Sequence, residues 1–190
     1  IGNASTSEGH FFEAINAAGV LQIPMVISVW DDGYGISVHS KHQTTKENIS
    51  EILKGFQRDK KHSGFELLKV KGWDYPALIE TYQKAQELAR NKHVPVLIHV
   101  TEMTQPQGHS TSGSHERYKS KERLKWESDF DCIELFKEWI ISNSLATESE
   151  LNELRKKIKK EVSKQKNDAW KAYQKPILSE LQVGLSLLQD

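Results

Sequence analysis

Two turns, Gly2-Asn3-Ala4-Ser5 and Trp30-Asp31-Asp32-Gly33-Tyr34, enclose one amphipathic segment and one apolar run. The spacing is that of half a crossover unit, in which a helix returns the chain to a parallel sheet. Small residues at the first turn let the backbone come close to a phosphate. An oxygen-bearing side chain at the second can join Asn3 around a hard cation such as Mg²⁺, which takes oxygen ligands and bridges phosphates. The pattern therefore reads as part of a diphosphate-cofactor site. Asn and Asp also suit turns for purely local reasons, so both readings of Asn3 and Asp32 stand at this level.

The order of elements constrains the fold further. Residues 7–21 read as a helix capped by Ser7, with Phe11, Phe12, Ile15 and Ala18 at helical spacing. Met25 to Trp30 is a continuous apolar run, the pattern of a strand buried on both faces. Residues 38–46 read as a polar loop, and Thr45 as the cap of a helix containing Ile49, Ile52, Leu53 and Phe56. Phe65 to Val70 and Pro95 to Val100 read as strands. Between them Asp74 caps a helix with Pro76 in its first turn and Leu78, Tyr82, Ala85 and Leu88 inward. The alternation predicts an α/β fold, a three-layer parallel sheet with helices on its faces. In such sheets ligands sit at the carboxyl ends of the strands, where the Asp31-Asp32 turn lies.

After Thr101 the apolar period stops. Residues 102–118 are rich in Ser, Thr, Gly, Gln and His and read as a long, mobile functional loop. Residues 119–190 read as a helical C-terminal extension of the same domain, so the predicted division is 1–118 and 119–190. Asp129 or Asp131 caps one helix there. Thr147 and Glu150 form a capping box opening another, with Leu151, Leu154, Ile158 and Val162 on one face. The stretch from Leu151 to Lys175 is strongly basic and suits a solvated face or an acidic partner.

Composition excludes several classes. The 26 basic residues balance the 26 acidic ones, which gives no case for nucleic acid or an anionic membrane. No apolar run approaches a membrane span. The single cysteine, Cys132, has no internal disulfide partner and reads as a buried thiol, so the expectation is a cytoplasmic protein. The chain begins almost inside its first turn, which leads us to expect a piece of a longer protein.

The two turns also resemble a known family, the alpha chain of the thiamine-diphosphate-dependent dehydrogenase component of 2-oxo acid dehydrogenase complexes. The family's Gly-Asp-Gly-Ala-Thr-Ser-Glu-Gly stands here as Gly2-Asn3-Ala4-Ser5-Thr6-Ser7-Glu8-Gly9, and its Asn-Asn-Gly-Tyr-Ala-Ile-Ser as Asp31-Asp32-Gly33-Tyr34-Gly35-Ile36-Ser37. Its His-Ser-x-Ser followed by Tyr-Arg stands as His109-Ser110-Thr111-Ser112, then Tyr118-Lys119. The resemblance implies a thiamine diphosphate-binding fold, here incomplete. It also implies oxidative decarboxylation of a 2-oxo acid with acyl transfer to a lipoyl group, and Mg²⁺ held by Asn3, Asp32 and the Tyr34 carbonyl.

By the same resemblance, Gly2, Asn3, Ala4 and Ser5 meet the diphosphate, and His109 reaches the cofactor as the catalytic candidate. Implied partners are a beta chain or fused beta region, the lipoyl domain of the acyltransferase component and an oligomeric assembly. Ser110 and Ser112 are phosphorylation candidates in regulated relatives. The departures are specific: amide and carboxylate are exchanged between Asn3 and Asp32, which keeps the formal charge of the pair, and Ala4 replaces a glycine. Gly113 and Ser114 replace two acidic residues, and Gln105 stands where an arginine is usual. The alternatives are another thiamine-diphosphate enzyme, transketolase-like or acetoin-cleaving, and a non-catalytic assembly module.

Overall fold

The computed structural model describes residues 1–109 and 115–188. Its contacts divide into two units, Ile1–Glu138 and Trp139–Asp190. In the first unit β1 (Val26–Trp30), β4 (Glu66–Lys71) and β5 (Val96–Thr101) form a parallel sheet in the order β1-β5-β4. The short strands β2 (Tyr34–Gly35) and β3 (Val38–His39) pair antiparallel. Register places Val29 beside His99 and Val70 beside Val100, so the carboxyl ends of all three long strands lie together.

β5 takes the centre because it alone is apolar on both faces. Its side chains alternate between two cores. Leu97 joins Val29 and Phe65 under α1 (Gly9–Leu21), packed on Phe11, Ile15, Ala18, Ile49 and Leu53. Val96, Ile98 and Val100 join Val70 under α3 (Tyr75–Lys92), packed on Ala85 and Leu88. The three-layer α/β expectation holds. The expectation that Met25 to Trp30 is buried on both faces does not. β1 is a flanking strand with Val26 and Trp30 exposed, because the more apolar β5 occupies the middle.

Local chemistry explains the helix ends. Asp74 caps α3 as expected, its Oδ1 accepting from the Ala77 N–H at 3.1 Å. Ser7 does not cap α1. A 3-10 turn, Asn3–Ser7, precedes that helix, and the Ser7 hydroxyl donates instead to the Gln43 carbonyl at 3.1 Å. Thr45 is not the cap of the next helix either. Asn48 caps α2 (Ile49–Ile52) by accepting from the Glu51 N–H at 3.1 Å, one turn nearer the apolar residues. The polar loop expected over 38–46 contains β3 and two 3-10 turns.

α4 (Lys121–Asp129) carries Trp126 against Phe130, which in turn faces Trp73. α5 (Cys132–Ser142) opens with Asp131 accepting from the Ile133 N–H at 2.9 Å. Cys132 is half-buried rather than buried, beside the Thr104 hydroxyl at 3.3 Å.

In the second unit the Thr147 and Glu150 capping box is formed, with the Thr147 N–H donating to Glu150 at 2.8 Å. It opens α6 (Glu148–Leu187), far longer than the stretch its apolar period marked and continuous through Pro176. Leu154, Ile158 and Val162 are exposed within that unit. Among the described residues no helix is long and apolar enough to cross a membrane.

Leu97 is fully buried at the centre of the sheet. Leu97→Ala should lower unfolding free energy in urea by about 2–5 kcal/mol, the cost of an unfilled core position. A loss below about 1 kcal/mol would contradict the placement of β5 at the centre.

Candidate functional site

The two turns meet because the chain is pinned on both sides of β1. Gly2 forms a parallel bridge to Trp30, whose N–H donates to the Ile1 carbonyl at 2.9 Å. On the other side the Asp31 N–H donates to Val100 at 2.8 Å, and the Met103 N–H donates to Asp31 at 3.1 Å. Past that anchor the chain reverses through Gly33, whose φ of 82° favours glycine.

Gly35 then lies against the first turn. A Cβ there would come within 2.7 Å of the Ala4 Cβ and 2.6 Å of the Gln43 amide oxygen. No side chain fits at that point, and the two turns touch.

The result is a cavity of about 840 Å³ lined by Gly2, Asn3, Ala4, Ser5, Asp32, Tyr34 and His109, every residue that sequence reasoning singled out for a site. Trp30, Ile36, Gln43 and Gln105 complete much of its wall. Of the loop expected over 102–118, residues 110–114, including Ser110 and Ser112, lie outside the described residues. The Tyr118 hydroxyl meets the His109 backbone, and burial together with the Asp32 and Glu127 charges pushes that phenol up.

The donors facing the cavity are hard oxygens. Asn3 is 7% exposed, yet its side-chain amide has no hydrogen-bond partner among the described residues. Asp32 uses Oδ1 to accept the Tyr34 N–H at 3.0 Å, while Oδ2 has no hydrogen-bond partner among them. Burial raises the Asp32 pKa, and the Tyr34 N–H and the Lys119 ammonium pull it back only in part. No three His, Cys, Asp or Glu side chains gather as a metal group among the described residues. One carboxylate and one amide oxygen on a single cavity fit Mg²⁺ better than a softer ion.

Three features escaped sequence reasoning. Lys119 and Glu127 form a buried pair at 2.7 Å, their side chains 1% and 0% exposed. Arg123 joins it through Nε at 2.8 Å and donates from Nη2 to the Asp32 carbonyl at 2.7 Å, fastening α4 to the turn. Only the Arg123–Glu127 spacing of four was legible as a helix pair.

Ile36 holds a φ of 58° at the cavity wall, a strained conformation for a β-branched residue. His99, a polar residue inside the apolar run of β5, is fully buried between Asp31 and Ser50.

The residue pattern of the Dehydrogenase E1 component family matches residues 1–178. The chain belongs to that family. It is 30% identical over 183 residues to 2-oxoisovalerate dehydrogenase subunit alpha 1, mitochondrial, of Arabidopsis thaliana, covering 95% of this chain and 37% of that protein. To the alpha 2 subunit of the same plant it is 30% identical over 163 residues, 85% of this chain and 33% of the relative. To the pyruvate dehydrogenase E1 component subunit alpha of Porphyra purpurea it is 28% identical over 158 residues, 83% and 43% of the two chains. The chain thus spans less than half the length of these E1 relatives. Its likeness is to their alpha subunits.

Two outcomes test this geometry. Glu127→Ala leaves Lys119 buried without its carboxylate and should cost about 3–5 kcal/mol in denaturant unfolding. Asp32→Asn keeps the acceptor for the Tyr34 N–H but removes a buried charge. A raised folded pKa means that ionising Asp32 costs stability as pH rises through it. The asparagine variant should therefore melt higher than the parent at pH 7 without added cation. That advantage should vanish below the usual carboxylate range, and a lower melting point at pH 7 would contradict it.

Proposed function

We propose that this chain is the cation- and diphosphate-holding part of a thiamine-diphosphate-dependent 2-oxo acid dehydrogenase, of the alpha type. The observation that carries the proposal is the convergence on one cavity, with the small residues of the first turn, of an Asn3 amide and an Asp32 oxygen that have no hydrogen-bond partner among the described residues. In this reading Asn3, Asp32 and the Tyr34 carbonyl hold Mg²⁺. The backbone of Gly2, Ala4 and Ser5 meets the diphosphate, and His109 borders it from the loop.

The cofactor, when bound, supplies the carbon chemistry of decarboxylation. The residues here do something different. Asn3 and Asp32 bring one negative charge to the cation, and Lys119 and Arg123 nearby outnumber Glu127 by one positive charge. Tyr118 holds the His109 backbone, which places that imidazole at the cavity for proton transfer.

The whole enzyme in this proposal oxidatively decarboxylates a 2-oxo acid and passes the acyl group to a lipoyl arm. A beta chain or fused beta region supplies the rest of the site, and a lipoyl domain of the acyltransferase component docks beside it. The resemblance of His109 and the following residues to the dehydrogenase pattern favours this over a transketolase-like or acetoin-cleaving enzyme.

The test is a double-mutant cycle in the assembled enzyme, read by calorimetry of thiamine diphosphate at fixed Mg²⁺. Asp32→Asn should weaken binding at least tenfold, about 1.4 kcal/mol. Adding Asn3→Asp restores one carboxylate and one amide and should recover part of that loss. Parent-like binding by Asp32→Asn would show that Asp32 is only a turn residue.

A further inference from the structure

His99 stands on β5 one alternation beyond Leu97, on the face covered by α1 and α2. Its ring is fully buried and both nitrogens are engaged. Nε2 donates to Asp31 Oδ2 at 2.9 Å, and Nδ1 meets the hydroxyl of Ser50 on α2. The other Asp31 oxygen, Oδ1, accepts the Gly33 N–H at 2.8 Å. Gly33 is the left-handed residue of the turn that carries Asp32 and Tyr34. An unbroken hydrogen-bonded path thus runs from α2 through a core imidazole to the reversal of the chain at the cavity.

We propose that Ser50, His99 and Asp31 are positioning residues that fix the Asp32–Tyr34 turn in its cation-facing conformation before any ligand arrives. Three physical points support this. A left-handed glycine has no side chain to hold it, so its conformation is set by what its backbone meets: Ser40 at the carbonyl, and at the N–H a partner on Asp31. That partner is one oxygen of a carboxylate, which rotates unless its second oxygen is also held. The holding group is an imidazole, whose ring is oriented by the hydrogen bond at its other nitrogen.

The same three residue types make the nucleophilic relay of many hydrolases, but this geometry does not serve that chemistry. A neighbouring cavity of about 510 Å³ is lined by Asp31 and His99 and not by Ser50. The serine hydroxyl therefore faces the imidazole and no acyl group. The relay rests on the reading of the Asp32 turn as a cation site, but its own test is made without cation or cofactor.

The experiment is amide hydrogen exchange by NMR on the full chain, free of ligand, with imidazole nitrogen shifts recorded in parallel. In the parent, Nε2 of His99 should carry a proton. His99→Leu should speed exchange at Gly33 at least tenfold while Val29 and Leu97 keep their parent rates. His99→Gln, which can still donate to Asp31, should return Gly33 to within about threefold of the parent. Ser50→Ala, at a half-buried position that tolerates the change, should give an intermediate effect and carries the test if His99→Leu fails to fold.

Unchanged Gly33 exchange in the variants overturns the relay. Equal acceleration at Val29 and Leu97 also overturns it, since the trio would then be core packing alone. An Nε2 without a proton in the parent does the same. A relay that passes these tests in an enzyme that binds no Mg²⁺ leaves the positioning intact and overturns only the cation reading.

Discussion

Asp31 gives its backbone N–H to Val100 and takes that of Met103, so the residue after β1 is locked to the end of β5 on both of its polar backbone groups. Everything at the candidate site hangs from that lock. β5 is buried on both faces and cannot shift without exposing two cores at once. The turn beyond Asp31 inherits this rigidity. Through the Gly2–Trp30 bridge the first turn inherits it as well. The contact of Ala4 with Gly35 then leaves no slack between the two.

Electrostatics works against folding at this point. A half-buried carboxylate with only one oxygen hydrogen-bonded among the described residues is unfavourable to hold, and its pKa, raised by burial, records that cost. The Lys119–Glu127–Arg123 group, two cations on one carboxylate, offsets that cost only in part, since Lys119 lowers the Asp32 pKa less than burial raises it. Arg123 donates to the Asp32 carbonyl, which fixes the backbone without engaging the side chain. A divalent cation would relieve Asp32, and its affinity would draw on the strain stored there. The strained Ile36 on the same wall fits the pattern of local cost tolerated where a ligand binds.

Much of this was legible in the residues. The apolar runs and the Asp74 cap marked the strands and α3 because they depend on local chemistry. The convergence of Asn3, Asp32, Tyr34 and His109 followed from placing both turns at strand ends and from the family pattern. What escaped depended on partners distant in sequence. Ser7 has the chemistry of a cap, but Gln43, distant in sequence, took its hydroxyl. β1 has the composition of a central strand, and only comparison with the more apolar β5 moves it to the flank. His99 interrupts an apolar run, and nothing local shows that Asp31 and Ser50 wait on either side of it. Lys119 precedes α4, so its pairing with Glu127 on that helix is not a pair within one helix.

The central claim is that one cation is shared between the two turns. Mn²⁺, which takes the same oxygen donors as Mg²⁺, broadens NMR signals of nuclei near it. Titrating Mn²⁺ with thiamine diphosphate into the isotope-labelled protein reads the location directly. The account predicts that amides of residues 2–5 and 32–35 broaden together at the lowest metal concentrations, and that Val70 and residues 75–92 stay sharp. Broadening at only one turn, or first at sites away from both, would contradict it.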